Sequence, residues 1–234
     1  MSILTPIKSL PSTIDQDALE ASLHAHIADG DFPCVGAKSA MNSGMLEILP
    51  ALSITSSWDD LAIHGALMEW SQGYAQNGDG LRSLAVVFSG PDDLDERAFE
   101  AALWQRIQSL SDKDDWHGHP AGEGTSSDPG DPHFSLSFGG QAYFVVGMHP
   151  NASRAARRAA YPTMVFNLHD QFERLRAEQR YEKLRSAILA RDVKLDGSIN
   201  PMLARHGDIS EARQYSGRAV NDDWQCPFKD PRTA

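Results

Sequence analysis

The sequence predicts a single α+β domain, a mixed or antiparallel sheet of about four to six strands with helices packed on it. Three observations carry that prediction. Apolar residues recur at helical spacing over long stretches, most clearly Phe172, Leu175, Tyr181, Leu184 and Ile188 within 170–191. Compact apolar runs stop at Gly or Pro, as SLAVVFSGP (83–91) does, which is how strands read. No repeat or interdomain linker divides the 234 residues, so residues 1–234 form one domain with flexible termini and a long loop at 111–132.

The elements follow in order. Residues 15–29 come after Ser12 and Thr13, carry Ala18, Leu19, Leu23 and Ile27 at helical spacing, and end at Gly30. FPCVGAKSA (32–40) is a turn leading into a short helix. Trp58 to Tyr74 is a second helix, burying Trp58, Leu61, Leu67, Met68 and Trp70, and 83–91 is a strand. A third helix runs from Asp93 to Leu110, its acidic start matching the helix dipole. From Ser111 to Pro132 the periodicity gives way to Asp, Gly, Pro, Ser and His, a loop long enough to act as a lid. HFSLSFGGQAYFVVGMHP (133–150) reads as a hairpin turning at Gly139-Gly140, and YPTMVFN (161–167) as another strand. The longest helix is expected at 170–191, and beyond it no strong periodicity remains.

Composition excludes several function classes. A net charge of −11 removes any general attraction for nucleic acid or an anionic membrane surface. No apolar run approaches the roughly 18–20 residues that span a bilayer. MSILTPIKSLPSTIDQD lacks the basic and then apolar regions of a signal peptide. Two cysteines, Cys34 and Cys226, are too few for a disulfide framework and fit a reducing compartment. The expectation is a cytoplasmic enzyme or small-ligand binder, with homodimerisation left open. The Walker loop, G-x-S-x-G, H-E-x-x-H and a post-strand G-x-G-x-x-G are all missing.

The histidines and arginines carry the chemistry. His24 and His26, two apart on a helix, point in different directions. His117-Gly118-His119 is a chelating pair, yet no carboxylate or Cys cluster at ligand spacing completes a set. His64 shares a helix face with Leu61, Leu67 and Met68. His149 stands apart, because the residue before Pro150 is held extended at a strand end and Arg154, Arg157 and Arg158 follow it. A neutral imidazole beside arginine forks suits an anionic cofactor with a ligatable metal, and haem is one, with Arg taking the propionates. The same arginines would equally pair with the protein's own carboxylates. Cys34 and Cys226, flanked by Pro and aromatics, read as buried thiols rather than iron ligands.

FPCVGAKSA, VGMHPNASRAARR followed by YPTMVFNLHDQFERLR, and then GSINPML, SEARQYSGR and WQCPF occur in a fixed order. Together they resemble the YqcI/YcgG family, in particular its haem-dependent guanidino N-hydroxylases of the pre-guanitoxin N-hydroxylase type, over roughly residues 30–228. The resemblance implies haem b, molecular oxygen, an electron donor and oxidative N-hydroxylation of an arginine-like or cyclic guanidine. A haem-binding carrier or sensor without hydroxylase activity is the alternative. On this reading His149 leads as iron ligand, with His64 and His133 behind it, and Arg154, Arg157 and Arg158 hold the cofactor. Glu211 and Tyr215 are the candidate catalytic residues. Glu211, Asp222 and Asp223 would meet the guanidinium, Arg213 or Arg218 a substrate carboxylate, and Tyr215 or Trp224 the guanidine plane.

Overall fold

Among the described residues, two helices that pack together precede the first strand. A computed structural model describes residues 15–76, 80–205 and 207–233. The expectations about flexible termini and the signal peptide fall largely on residues 1–14 and 234, outside the described residues. Helix α1 (Gln16–Ala28) starts where the Asp15 carboxylate accepts the Ala18 amide at 3.0 Å, and it buries Leu19, Leu23 and Ile27. Helix α2 (Val35–Asn42) follows the Phe32-Pro33 turn, with Cys34 Sγ accepting the Ala37 amide.

Strand β1 (Leu46–Ala51) comes next, a segment to which the sequence assigns no element. It contains Pro50 and lies at the sheet edge, where a residue without an N–H is tolerated. Helix α3 (Asp60–Gln76) crosses over to β2 (Ser83–Phe88), which runs parallel to β1. Helix α4 (Glu96–Trp116) leads to the hairpin of β3 (Leu136–Phe138) and β4 (Gln141–Met148), and β5 (Thr163–Leu168) closes the set. The sheet is mixed, in the order β1-β2-β5-β4-β3, with every pair after β1–β2 antiparallel. The expected α+β class therefore holds, with five strands among the described residues.

Three expectations are corrected. The second expected helix, α3, begins at Asp60 rather than Trp58, and Trp58 and Leu61, expected on its buried side, are exposed at 81 % and 61 %. Helix α4 runs to Trp116, because Leu110, Ser111 and Asp114 continue its buried face, so the irregular segment is shorter than 111–132. The helix expected at 170–191 is two helices, α5 (His169–Ala177) and α6 (Tyr181–Asp196), followed by the single turn α7 (Ala212–Tyr215). None of the helices is long and apolar enough, among the described residues, to cross a membrane.

Strand alternation divides the core in two. Leu84, Val86, Phe88, Tyr143, Val145, Met164, Phe166 and Leu168 face α3 and α4, meeting Leu67, Trp70, Phe99, Leu103 and Ile107. A buried ion pair, Arg106 Nη1 to Asp60 Oδ2 at 2.7 Å, ties those two helices. Ala85, Val87 and Met148 face the other way, onto Leu19, Leu23 and Ile27 of α1. On this second face the packing is incomplete.

Candidate functional site

An apolar cavity of about 300 Å³ lies between the second face of the sheet and helices α1, α2, α5 and α6. Phe144, Val146 and Val165 form its floor, and Leu184, Ile188 and Leu189 of α6 form its roof. The roof residues are only half-buried, whereas apolar residues on the α4 side are fully so. Helix α6 spans a space rather than a core.

One wall carries a hydrogen-bonded set of polar groups. Strand β5 ends at Leu168 and α5 begins at His169, so the imidazole is presented where strand turns into helix. Its Nε2 lies 3.0 Å from Oε1 of Glu211, which is 2 % exposed. The Tyr215 hydroxyl, one helical turn further along, donates to the same oxygen at 2.5 Å, and the Ser135 hydroxyl at 3.2 Å. Burial, reinforced by the Glu211 charge, raises the Tyr215 pKa well above its usual value, so it remains a donor. Glu211 and Tyr215, both named from the sequence, thus come together. His169 was not among the sequence candidates, although it stands inside the quoted stretch YPTMVFNLHDQFERLR.

The arginines divide their work. Arg157 lines the cavity and donates to the carbonyls of Gly147 (2.9 Å) and Gln214 (3.2 Å). Arg154 also reaches the wall, but Asp192 Oδ2 (2.5 Å), Asp196 Oδ2 (3.2 Å) and the Ser198 carbonyl hold it. Arg158 bonds the carbonyls of Ala152 and Ser153. A further arginine on the lining, Arg185 of α6, makes no hydrogen bond among the described residues.

The three histidines proposed from sequence stand elsewhere. His149 shares its strand face with Gly147, whose Cβ, if present, would meet Leu103 at 2.5 Å and Phe99 at 2.9 Å. Its ring accordingly stacks on Phe99 (centroids 4.3 Å apart) on the α4 side, across the sheet from the cavity. Burial holds its pKa below the usual value, with Glu96, the Leu94 backbone and Asp95 offsetting part of the effect. His64 contacts Asp114 on the α4 side, and His133 is exposed beside Asp131.

Arg213, Asp222 and Trp224 gather in a second cavity of about 610 Å³, with Asp128 and Asp208 on its walls. Arg213 sits 5.9 Å from the centre of the Trp224 ring. Asp223 is exposed, and Arg218 pairs with Glu100 instead. Asp128, Pro129, Gly130 and Pro132 of the expected lid line this second cavity, and none of 111–132 lines the first. Cys34 is on the wall of the first cavity and Cys226 on that of the second. Burial raises both thiols, Cys226 to about 12.

The sequence model of the YqcI/YcgG family matches residues 23–229. No curated protein and no solved structure matches the chain.

Proposed function

Because the chain belongs to the YqcI/YcgG family, we propose that it is a haem-dependent monooxygenase that N-hydroxylates a guanidino compound, with haem b in the apolar cavity and His169 as iron ligand. One observation carries this reading. The cavity is an apolar slot whose lining includes a single histidine among the described residues, and that ring is bonded to a buried carboxylate.

The residues present fit such a group. A flat apolar macrocycle between the sheet and α6 would bury the half-exposed Leu184, Ile188 and Leu189. The volume lies at the lower end of the roughly 300–1,000 Å³ typical of ligand pockets. Arg185 offers a fork to a propionate, and Arg157 adds positive charge. Arg154 and Arg158 are engaged by the protein itself, which moves the anion-binding role along the wall from the arginines first considered.

Haem, when bound, supplies oxygen activation fed by an electron donor. The chain supplies the rest. Glu211 holds Nε2 of His169, which orients the ring and raises its basicity as a ligand. Tyr215 and Ser135 hold Glu211 in turn, so both sequence-named residues act through the ligand. The apolar walls exclude water. Asp192, on the lining and bonded through Oδ2 to the Arg154 guanidinium, is the carboxylate assigned to the substrate guanidinium in this reading.

Hemin added to the full chain should give a stoichiometric complex with a Soret band. His169→Ala should abolish or shift that band, and His149→Ala should leave it unchanged. The reduced carbonyl complex should have the imidazole-type Soret position, and a red-shifted thiolate-type band would move the ligand to Cys34. Failure to take up hemin overturns the reading. A mass-spectrometric screen of guanidines for gain of one oxygen, with oxygen and reductant supplied, separates the hydroxylase from a haem carrier.

A further inference from the structure

At the far end of α4 a second group of polar side chains plays no part in the haem reading. We propose that His64, Asp114 and His119 form a binding site for a divalent transition-metal ion of the Zn²⁺ class. The three residues come from α3, from the last turn of α4 and from the segment beyond it, so only the tertiary fold assembles them. Their ligand atoms lie within 4.8 Å of one another.

The convergence is on one atom. His64 Nε2 and His119 Nδ1 both stand 2.8 Å from Oδ1 of Asp114, and the Gly139 amide adds a third donor at 2.9 Å. Three nitrogens crowd an oxygen that has two lone pairs. A cation among them would take imidazole lone pairs and the carboxylate charge together, turning the crowding into coordination. That requires each ring to present the facing nitrogen unprotonated, which the choice of tautomer allows.

The surroundings are those of a ligand set rather than of a surface cluster. The side chains of Asp114 and His64 are 0 % and 4 % exposed. The other carboxylate oxygen, Oδ2, is held by Arg232 Nη1 and by the Gly139 amide, each at 3.2 Å, and Arg232 is itself fixed by Asp230. Such outer contacts orient a ligating carboxylate. The His119 side chain is 35 % exposed, which leaves one side open for an ion to enter and for solvent to complete its coordination. Two imidazoles and one carboxylate select Zn²⁺, Co²⁺ or Fe²⁺ over Mg²⁺ and Ca²⁺, which prefer all-oxygen sets. The ion would tie the segment after α4 to α3, on the sheet face opposite the haem cavity.

The test uses the tag-free full chain, stripped with chelator and titrated with Zn²⁺ by calorimetry and with Co²⁺ by visible absorption. The expected result is saturation at one ion per chain, with Co²⁺ ligand-field bands. His119→Ala, at a half-exposed position, should fold and lose the bands. Arg232→Gln should weaken Zn²⁺ affinity by about tenfold through the outer contact alone. His24→Ala should bind as the parent chain does. No saturable uptake, or uptake unchanged in His119→Ala, overturns the site. Hemin takes no part in these measurements, so their outcome is independent of the proposed activity.

Discussion

His149 and His169 each follow the end of one of two neighbouring strands, and parity decides their chemistry. Odd-numbered residues of β4 face α4, so His149 continues the row of Tyr143, Val145 and Gly147. On β5 it is Val165 and Asn167 that face the cavity, and His169 follows in that row. Sequence periodicity conceals this on β4, which carries apolar residues on both faces. A buried His149 also has a pH signature. Its folded pKa is depressed by burial, while the unfolded chain titrates near the ordinary value of about 6.5. As pH falls through that value the unfolded state takes a proton that the folded state refuses. Stability should therefore decline below about pH 6.5, by up to about 1.4 kcal/mol per pH unit, and level off only below the folded pKa. His149→Phe, which keeps a ring against Phe99, should flatten that part of the profile in urea titrations run at a series of pH values. An unchanged slope would mean that another group controls it.

At the scale of elements, the break between α5 and α6 is the feature that shapes the cavity roof. Helix α5 ends in a Schellman motif. The Arg180 amide reaches the Leu175 carbonyl at 2.8 Å, and the Gln179 amide reaches that of Arg176 at 2.9 Å. Gln179 sits at φ 58°, a conformation that ordinarily selects glycine. The sequence lacks that glycine, which is why 170–191 reads as one uninterrupted helix. Gln179→Gly should relieve the left-handed strain and stabilise the protein by about 1 kcal/mol, measured as a higher denaturant midpoint. A loss of stability would mean that the Gln179 side chain contributes more than its backbone costs. The missed strand β1 has a similar origin. Glu47 and Pro50 interrupt its apolar run, and they are acceptable only because β1 is an edge.

For the whole molecule, the two sheet faces differ in completeness. The α3–α4 face is filled by large buried side chains, including Phe99, Leu103, Tyr143 and Phe166. The α6 face leaves the cavity. A ligand that enters only the folded state stabilises it by about 2.7 kcal/mol at a hundredfold excess over Kd. Hemin should therefore raise the thermal midpoint and slow amide exchange chiefly in α6 and the start of α5. Exchange in α3 and α4 should change little. Equal protection on both faces would place the ligand outside this cavity.

The chain order of apolar runs and breakers was enough for the α+β class, the hairpin at Gly139-Gly140 and most helices, because those signals are local. Glu211 and Tyr215 were named only through the family resemblance, and the helical turn Ala212–Tyr215 that brings them together has no periodicity in the sequence to announce it. Other assignments needed distant partners. Asp114 stands only five residues before His119, but His64, fifty residues before Asp114 on α3, is the member of that group which packing alone supplies. The sequence shows an arginine run behind His149, whereas Arg154 is taken by Asp192 and Asp196 of α6. Which face a strand-end histidine takes, and which carboxylate meets which arginine, are settled by packing between segments far apart in the chain, because hydrogen bonds and ion pairs act over a few ångströms of space regardless of separation along the backbone.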